Sequence, residues 1–248
     1  MKLIFLLSIL FIMNPLRLQA VENIYIYSYY KDPPYLLANR NGLLNDFTNS
    51  LNRLAAGKFH FLFVPANKLR IDLILKNQEE AIIPFVNPFW VGDSNMSKFH
   101  WSKPLLHDQN ILISNKSKKI EVEKLSLLKK ASLAGIYGHR YKVLGEFISK
   151  ENLIRKDYSQ FLQCLKLVSN KKMDMTVIPE SIYKQLIQQV ELRDELYQAR
   201  DPLFVFDRRI LMTKSLTNHY KDVMGLIHQL SNDQMWKKTI LKYRLKMP

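Results

Sequence analysis

Between residues 24 and 86 the hydrophobic positions switch twice between a period of two and a period near 3.6, and that switching sets the fold. Ile24 and Ile26 alternate with Tyr25 and Tyr27, and β-branched and aromatic residues at period two favour a pleated strand. Leu43, Leu44, Phe47, Leu51, Leu54 and Ala55 then recur at three- and four-residue spacing, an amphipathic helix that Gly42 begins and Gly57 ends. Phe59 to Val64 is a second strand closed by Pro65, Asn67 caps a helix over 68–76, and Ala81 to Val86 is a third, apolar strand. Strand, helix, strand, helix, strand is the rhythm of a parallel sheet with crossover helices.

The pattern resumes further on. Strands are expected at Asn110 to Ser114, Ser132 to Tyr137, Met173 to Ile178 and Phe204 to Met212. Helices are expected from His139 through Lys150, after a Ser159 cap, over Glu180 to Gln188, and in the tail over 216–230 and 233–243. No repeat or Pro-rich linker separates the two blocks, so the chain must pass between them in a pair of crossing strands near Leu112 and Val205.

The stretch Tyr25 to Phe47 joins a strand, an aromatic turn and a helix start. Pro33 and Pro34 cannot extend a central ladder, so Tyr30 and Tyr35 are expected on a stiff turn at the strand's C-terminal end, where open α/β sheets bind ligands. Tyr30, Tyr35, Phe85 and Trp90 would then wall a cleft together with Asn87 of the N-P-F-W-V-G-D-S-N loop. Gly138 before a helix start lets backbone N–H groups face an anion, with Arg140 adding charge. Arg70 and Lys68 sit badly for the dipole of their helix, which leaves an anionic ligand, or pairing with Glu79 and Asp72, as the reason for them.

Composition narrows the class. In 248 residues the basic side chains exceed the acidic by fifteen, an excess that attracts anions. Lys2, the apolar run Leu3 to Met13 and Leu18-Gln19-Ala20 read as an export signal cut near Ala20, since eleven apolar residues fall short of the ~20 that span a bilayer. Removing Lys2 and Arg17 with it lowers the excess from fifteen to thirteen. The one cysteine, Cys164, falls on an apolar helix face and cannot form an internal disulfide, so an exported chain must hold itself together by its core.

The order of elements resembles the extracytoplasmic solute-binding proteins of family 3, which serve polar amino-acid ABC transporters. The likeness covers nearly all of the mature chain. It is carried by P-P-Y at Pro33 to Tyr35, G-L-L-N-D-F at Gly42 to Phe47, W-S-K-P-L-L at Trp101 to Leu106, A-G-I-Y-G at Ala134 to Gly138, the helix-then-strand ending at Pro179, and N-D-Q-M-W-K-K near the end. The resemblance implies an α/β, two-lobed type II periplasmic-binding-protein fold: mostly parallel sheets flanked by helices, with two crossing hinge strands. Lobe 1 would comprise 21–112 plus 206–248, and lobe 2 113–205. It further implies that Tyr35 stacks on the ligand, that His139 contacts it at a helix start, and that Glu180 lies near the acid that holds an α-amino group, one position out of step.

One departure matters. Family members that bind amino acids carry an Arg after the third strand to grip the α-carboxylate, and between Ile82 and Trp101 this chain has none; Lys98 is a point charge without a planar fork.

Signatures of catalysis are missing: there is no G-x-S-x-G, H-E-x-x-H, G-x-x-x-x-G-K or G-x-G-x-x-G, and the six histidines show no metal-ligand spacing. The expectation is therefore a periplasmic binding protein, not an enzyme. It would have no cofactor or metal, be a monomer, and pass a small polar ligand, amino-acid-like or anionic, to an ABC permease or membrane sensor, with no nucleic acid as partner. Alternatives on the same scaffold are an exported enzyme resting on Asp93, His107 or Glu180, and an envelope-interaction protein using its basic surface.

Overall fold

The computed structural model describes residues 21–248 apart from positions 40, 190 and 191. The expected export signal lies outside the described residues. The first block forms β1 (Glu22–Ser28), α1 (Leu43–Ala55), β2 (Phe59–Pro65), α2 (Lys68–Asn77) and β3 (Ile82–Val86). Then come β4 (His100–Trp101) and the long β5 (Leu106–Asn115). The second block is β6 (Ala131–Ile136), α3 (Gly145–Ser149), β7 (Leu153–Tyr158), α4 (Phe161–Ser169), β8 (Met175–Pro179), α5 (Glu180–Gln189) and β9 (Leu196–Gln198). The chain returns through β10 (Phe204–Met212) to α6 (Tyr220–Asn232) and α7 (Gln234–Lys242).

The strands run in the order β2-β1-β3-β10-β5-β8-β6-β7, with β4 paired to β10 and β9 to β5. Each end of that order is parallel: β1 with β2 and β3, and β6 with β7 and β8. Between them β5 and β10 run antiparallel to one another, with Asp108 opposite Phe206. Beyond that shared segment β10 pairs with β3 through Arg209 to Met212, and β5 pairs with β8 through Asn110 to Ser114. These two strands are the expected crossing pair, and the result is a two-lobed α/β fold.

Local chemistry explains the elements that position the cleft. The Pro33–Tyr35 turn supplies carbonyls to the first turn of α1: Leu43 N donates to Pro34 O at 2.9 Å and Leu44 N to Tyr35 O at 3.2 Å. Only glycine fits between them, because Gly42 has φ +141° and a Cβ there would stand 2.6 Å from Tyr35 O. At α2, Asn67 accepts from Arg70 N at 2.8 Å, the cap its sequence predicted. The core beneath is aromatic, with fully buried Trp236 of α7 packed against Phe47 and Phe85 at ring separations of 5.9 and 6.4 Å. Each such side chain adds roughly 1.5–3 kcal/mol by burial, a contribution this chain needs because its one cysteine, Cys164, is buried and free.

Three local expectations change. The helix expected from His139 through Lys150 is a short 3₁₀ turn at Lys142–Leu144 followed by the five-residue α3. Arg155 explains its late start, since its Nη2 holds the Ile136 and His139 carbonyls at 3.2 and 2.9 Å and so binds the chain into a turn. Arg155 belongs to β7, an edge strand not expected from the sequence because L-I-R-K-D-Y carries adjacent apolar residues rather than an alternation, with Leu153 buried and Ile154 exposed. The cap of α4 also differs: Gln160 occupies the N-cap with no side-chain bond, and Ser159 does not fill the role.

Candidate functional site

A cavity of about 350 Å³ opens where the C-terminal ends of the parallel strands from both ends of the sheet converge. That is the crevice in which open α/β sheets present loops to ligands. One wall is Tyr29 to Asp32 after β1, Asn67 and Lys68 at the start of α2, and Phe89 and Trp90 after β3. The facing wall is Ile136 to Tyr141 after β6, Ser159 and Phe161 at the start of α4, and Val177, Pro179 and Ile182 at the β8–α5 junction. Arg208 and Asn110, from the two crossing strands, form the floor.

Arg208 is fully buried. Its Nε donates to Asp108 Oδ2 at 2.8 Å, and Nη1 donates to Tyr30 Oη at 2.7 Å and to Phe85 O at 3.1 Å. The rings of Tyr30, Tyr35, Trp90 and Phe206 surround its guanidinium at 5.0–5.4 Å. Burial alone would lower its pKa, but Tyr30, Tyr35 and Asp108 outweigh it and drive the pKa further up, so the charge is permanent. Phe85 takes a left-handed φ of 62°, a costly conformation for an aromatic residue, and its carbonyl then meets both Tyr30 Oη and Arg208. Asp108 in turn accepts from Ser181 Oγ at 2.6 Å, and Ser181 Oγ lies 3.3 Å from Tyr35 Oη. One polar network thus runs from the β1 turn through both crossing strands to the start of α5.

Burial perturbs several titratable groups on the walls, among them Asp32 and His139. Burial pushes the Asp32 carboxyl up to about 6, against the pull of the Phe161 backbone N–H and of Lys31. That N–H belongs to the first turn of α4, which places Asp32 beside the start of that helix. Burial lowers His139 to about 4, helped by the Arg155, Lys68 and Arg208 charges and opposed by Asp157, so its imidazole is neutral at pH 7. Its ring stands 5.6 Å from that of Phe161. Behind the loop, Arg155 binds Asp157 with both arms, Nε–Oδ1 at 2.6 Å and Nη2–Oδ2 at 2.9 Å.

Of the residues expected to touch a ligand, Tyr30, Trp90, His139 and Arg140 line the cavity. The other five are placed elsewhere. Tyr35 is fully buried, its ring 4.3 Å from that of Tyr30 on the core side, so the aromatic nearest the ligand space is Tyr30. Phe85 is fully buried in the same core and contributes its carbonyl, not its ring. Asn87 shapes its loop, accepting from Phe89 N and donating to Asp207 O. Glu180 pairs with Lys184 and Lys246 at 3.0 and 3.2 Å, and Arg70 makes a two-armed pair with Glu79 on the surface. Lys68 reaches the cleft while paired with Asp72.

Arg208 was the missed residue, although the sequence carries its signal. In F-V-F-D-R-R-I-L-M, Arg208 falls in phase with Phe206 and Ile210, so period two already turns a guanidinium inward. The residues proposed for an enzyme are committed to other bonds: Asp93 accepts from Ser97 N, Lys98 N, Phe99 N and Trp101 Nε1, and His107 Nδ1 meets Asp207 Oδ1 at 2.6 Å.

A search of solved structures finds the same architecture. It is the fold of the two-lobed periplasmic binding proteins. A glutathione-import protein, GshT of Streptococcus mutans, superposes with a TM-score of 0.73 at 14% identity, covering 92% of this chain and 98% of the other. An ancestral arginine-binding protein bound to arginine gives 0.71 at 12% identity over 89% of this chain and 97% of its own. An ancestral amino-acid-binding protein described as a precursor of cyclohexadienyl dehydratase gives 0.70 at 15% identity over 89% and 95%. No protein-family model and no curated protein matches the sequence.

Proposed function

We propose that this protein is an exported solute-binding protein of the family 3 kind, which closes two lobes around a small polar molecule, amino-acid-like or anionic, and presents it to an ABC permease or membrane sensor. The lobes are 21–112 plus 206–248 and 113–205, and the export signal is cut near Ala20. The observation that carries this reading is the cavity itself, whose opposing walls come from the two parallel ends of one sheet and meet over a floor made by the crossing strands. Capture then consists of hinge closure, in which contacts with both walls offset the cost of leaving the open form. No bond is made or broken.

Mass spectrometry of the protein purified from its native envelope identifies what it carries and where its N-terminus begins. Small-angle scattering with that ligand is expected to give a smaller radius of gyration than without it; an unchanged radius with a ligand that measurably binds overturns hinge closure. One observation favours a second reading: Asp32 and His139 face a common cavity with pKa values of about 6 and 4, and groups tuned apart in a cleft can serve acid–base chemistry. Conversion of the bound molecule during prolonged incubation would establish an enzyme instead.

A further inference from the structure

We propose that the cleft takes a flat aromatic anion that carries no ammonium group. The proposal rests on the reading of this cleft as the ligand site and narrows the chemistry of what enters it.

Charge on the walls is one-sided. Lys31, Lys68, Arg140 and Arg208 line the cavity with one carboxyl, Asp32; Lys68 is paired with Asp72 and Arg208 with Asp108, which leaves Lys31 and Arg140 in excess. Among the described residues neither Lys31 nor Arg140 has an ion pair, so their charge is open to a ligand. The charge on Asp32 already faces the Phe161 backbone N–H and Lys31. Glu180, the acid that an α-ammonium would need on the second wall, is held by Lys184 and Lys246 and does not reach the cavity. An ammonium would therefore enter as a further positive charge beside two cations of the walls, which repel it.

The floor asks for an anion independently. Arg208 Nη2 lies 2.7 Å from Asp108 Oδ2, an ion-pair contact that is not an aligned hydrogen bond. Among the described residues this buried nitrogen has no acceptor in hydrogen-bonding direction. A buried donor without an acceptor is costly, and the oxygen of an incoming carboxylate would satisfy it. The remaining wall is built of rings: Tyr30 and Trp90 on one side, His139, Tyr141 and Phe161 on the other. With its imidazole neutral, His139 adds no charge that would favour water over a flat apolar body.

The test compares ligands that share a ring and differ in charge, by calorimetry on the purified protein near pH 7.5. Indole-3-acetate and phenylpyruvate are the anions, tryptophan and phenylalanine the zwitterions, tryptamine the cation, and succinate an anion without a ring. The expected result is at least tenfold tighter binding of an aromatic anion than of its amino-acid counterpart, with no binding of tryptamine. Equal or tighter binding of the amino acids, or of succinate, overturns the proposal while leaving the cleft as a binding site. If none of the six binds, the ligand class is wrong; if a broad library of small polar metabolites also fails, the reading of the cleft as a ligand site falls with it.

Discussion

Arg208 on β10 and Asp108 on β5 form a fully buried ion pair between the two strands that cross from one half of the molecule to the other, with Nε to Oδ2 at 2.8 Å. Around it converge Tyr30 from the first half and Ser181 from the second. Charges that the sequence scatters along the chain are therefore concentrated, at the crossing strands, into one network in which, among the described residues, Arg208 Nη2 alone has no aligned hydrogen bond.

Breaking that pair by Asp108→Ala leaves a buried guanidinium without its carboxylate and is expected to cost about 3–5 kcal/mol. Tyr30→Phe removes two hydrogen bonds, one donated to Phe85 O and one accepted from Arg208 Nη1, and is expected to cost about 1–3 kcal/mol. Urea unfolding with fluorescence detection reads both. A loss below 1 kcal/mol for the aspartate variant would remove the pair from its structural role.

Stability should depend on pH through Asp32 and His139 in opposite senses. Asp32 is raised from its ordinary 3.8 to about 6, so its contribution is complete below 3.8 and is lost as pH rises through 6. His139 is lowered from 6.5 to about 4, so its contribution is complete above 6.5 and is lost as pH falls towards 4. Lys31 and the Phe161 N–H face the first group; Arg155, Asp157, Lys68 and Arg208 face the second. The Tm of Asp32→Asn relative to the parent protein is accordingly expected to rise between pH 4 and pH 7. A gap that stays constant across that range contradicts the assignment.

Tyr35 and Trp90 should behave differently on substitution. Trp90→Ala is expected to weaken ligand binding by ~1 kcal/mol or more through lost ring contact. Tyr35→Phe is expected to leave Kd unchanged because that ring is sealed inside the core, whereas Tyr35→Ala should lower stability by about 3–5 kcal/mol. Calorimetric titration together with thermal melts separates the two roles, and a Kd shift in Tyr35→Phe would return Tyr35 to the site.

Gly135 makes room for the Arg155–Asp157 pair that supports the cleft loop. A Cβ there would fall against the Asp157 carboxylate and 2.9 Å from Arg155 Nε. Gly135→Ala is expected to cost about 1–3 kcal/mol and to weaken ligand binding by moving the 136–141 turn. Gly225→Ala, in α6 with open space at its Cβ, is expected to raise stability by roughly 0.5–1 kcal/mol. Equal effects of the two on Tm would show that the space beside Gly135 is not constraining.

By itself the sequence determined the order of most elements and the crossing strands. Those follow from period, from turn residues such as Pro33 and Gly42, and from a cap such as Asn67, all of which act within a few residues and can be read within a few residues. Which tyrosine lines the cavity was decided only by the tertiary structure, because Tyr30 and Tyr35 differ in what packs behind them, and Phe47, Phe85 and Trp236 come from three separated segments. The same holds for β7, an edge strand defined by its partner β6, and for the start of α4, which folding places beside Asp32. It holds most for Arg208. Its inward phase was legible in β10, but its meaning depends on Asp108, a hundred residues earlier, and on four rings that only folding brings around one guanidinium.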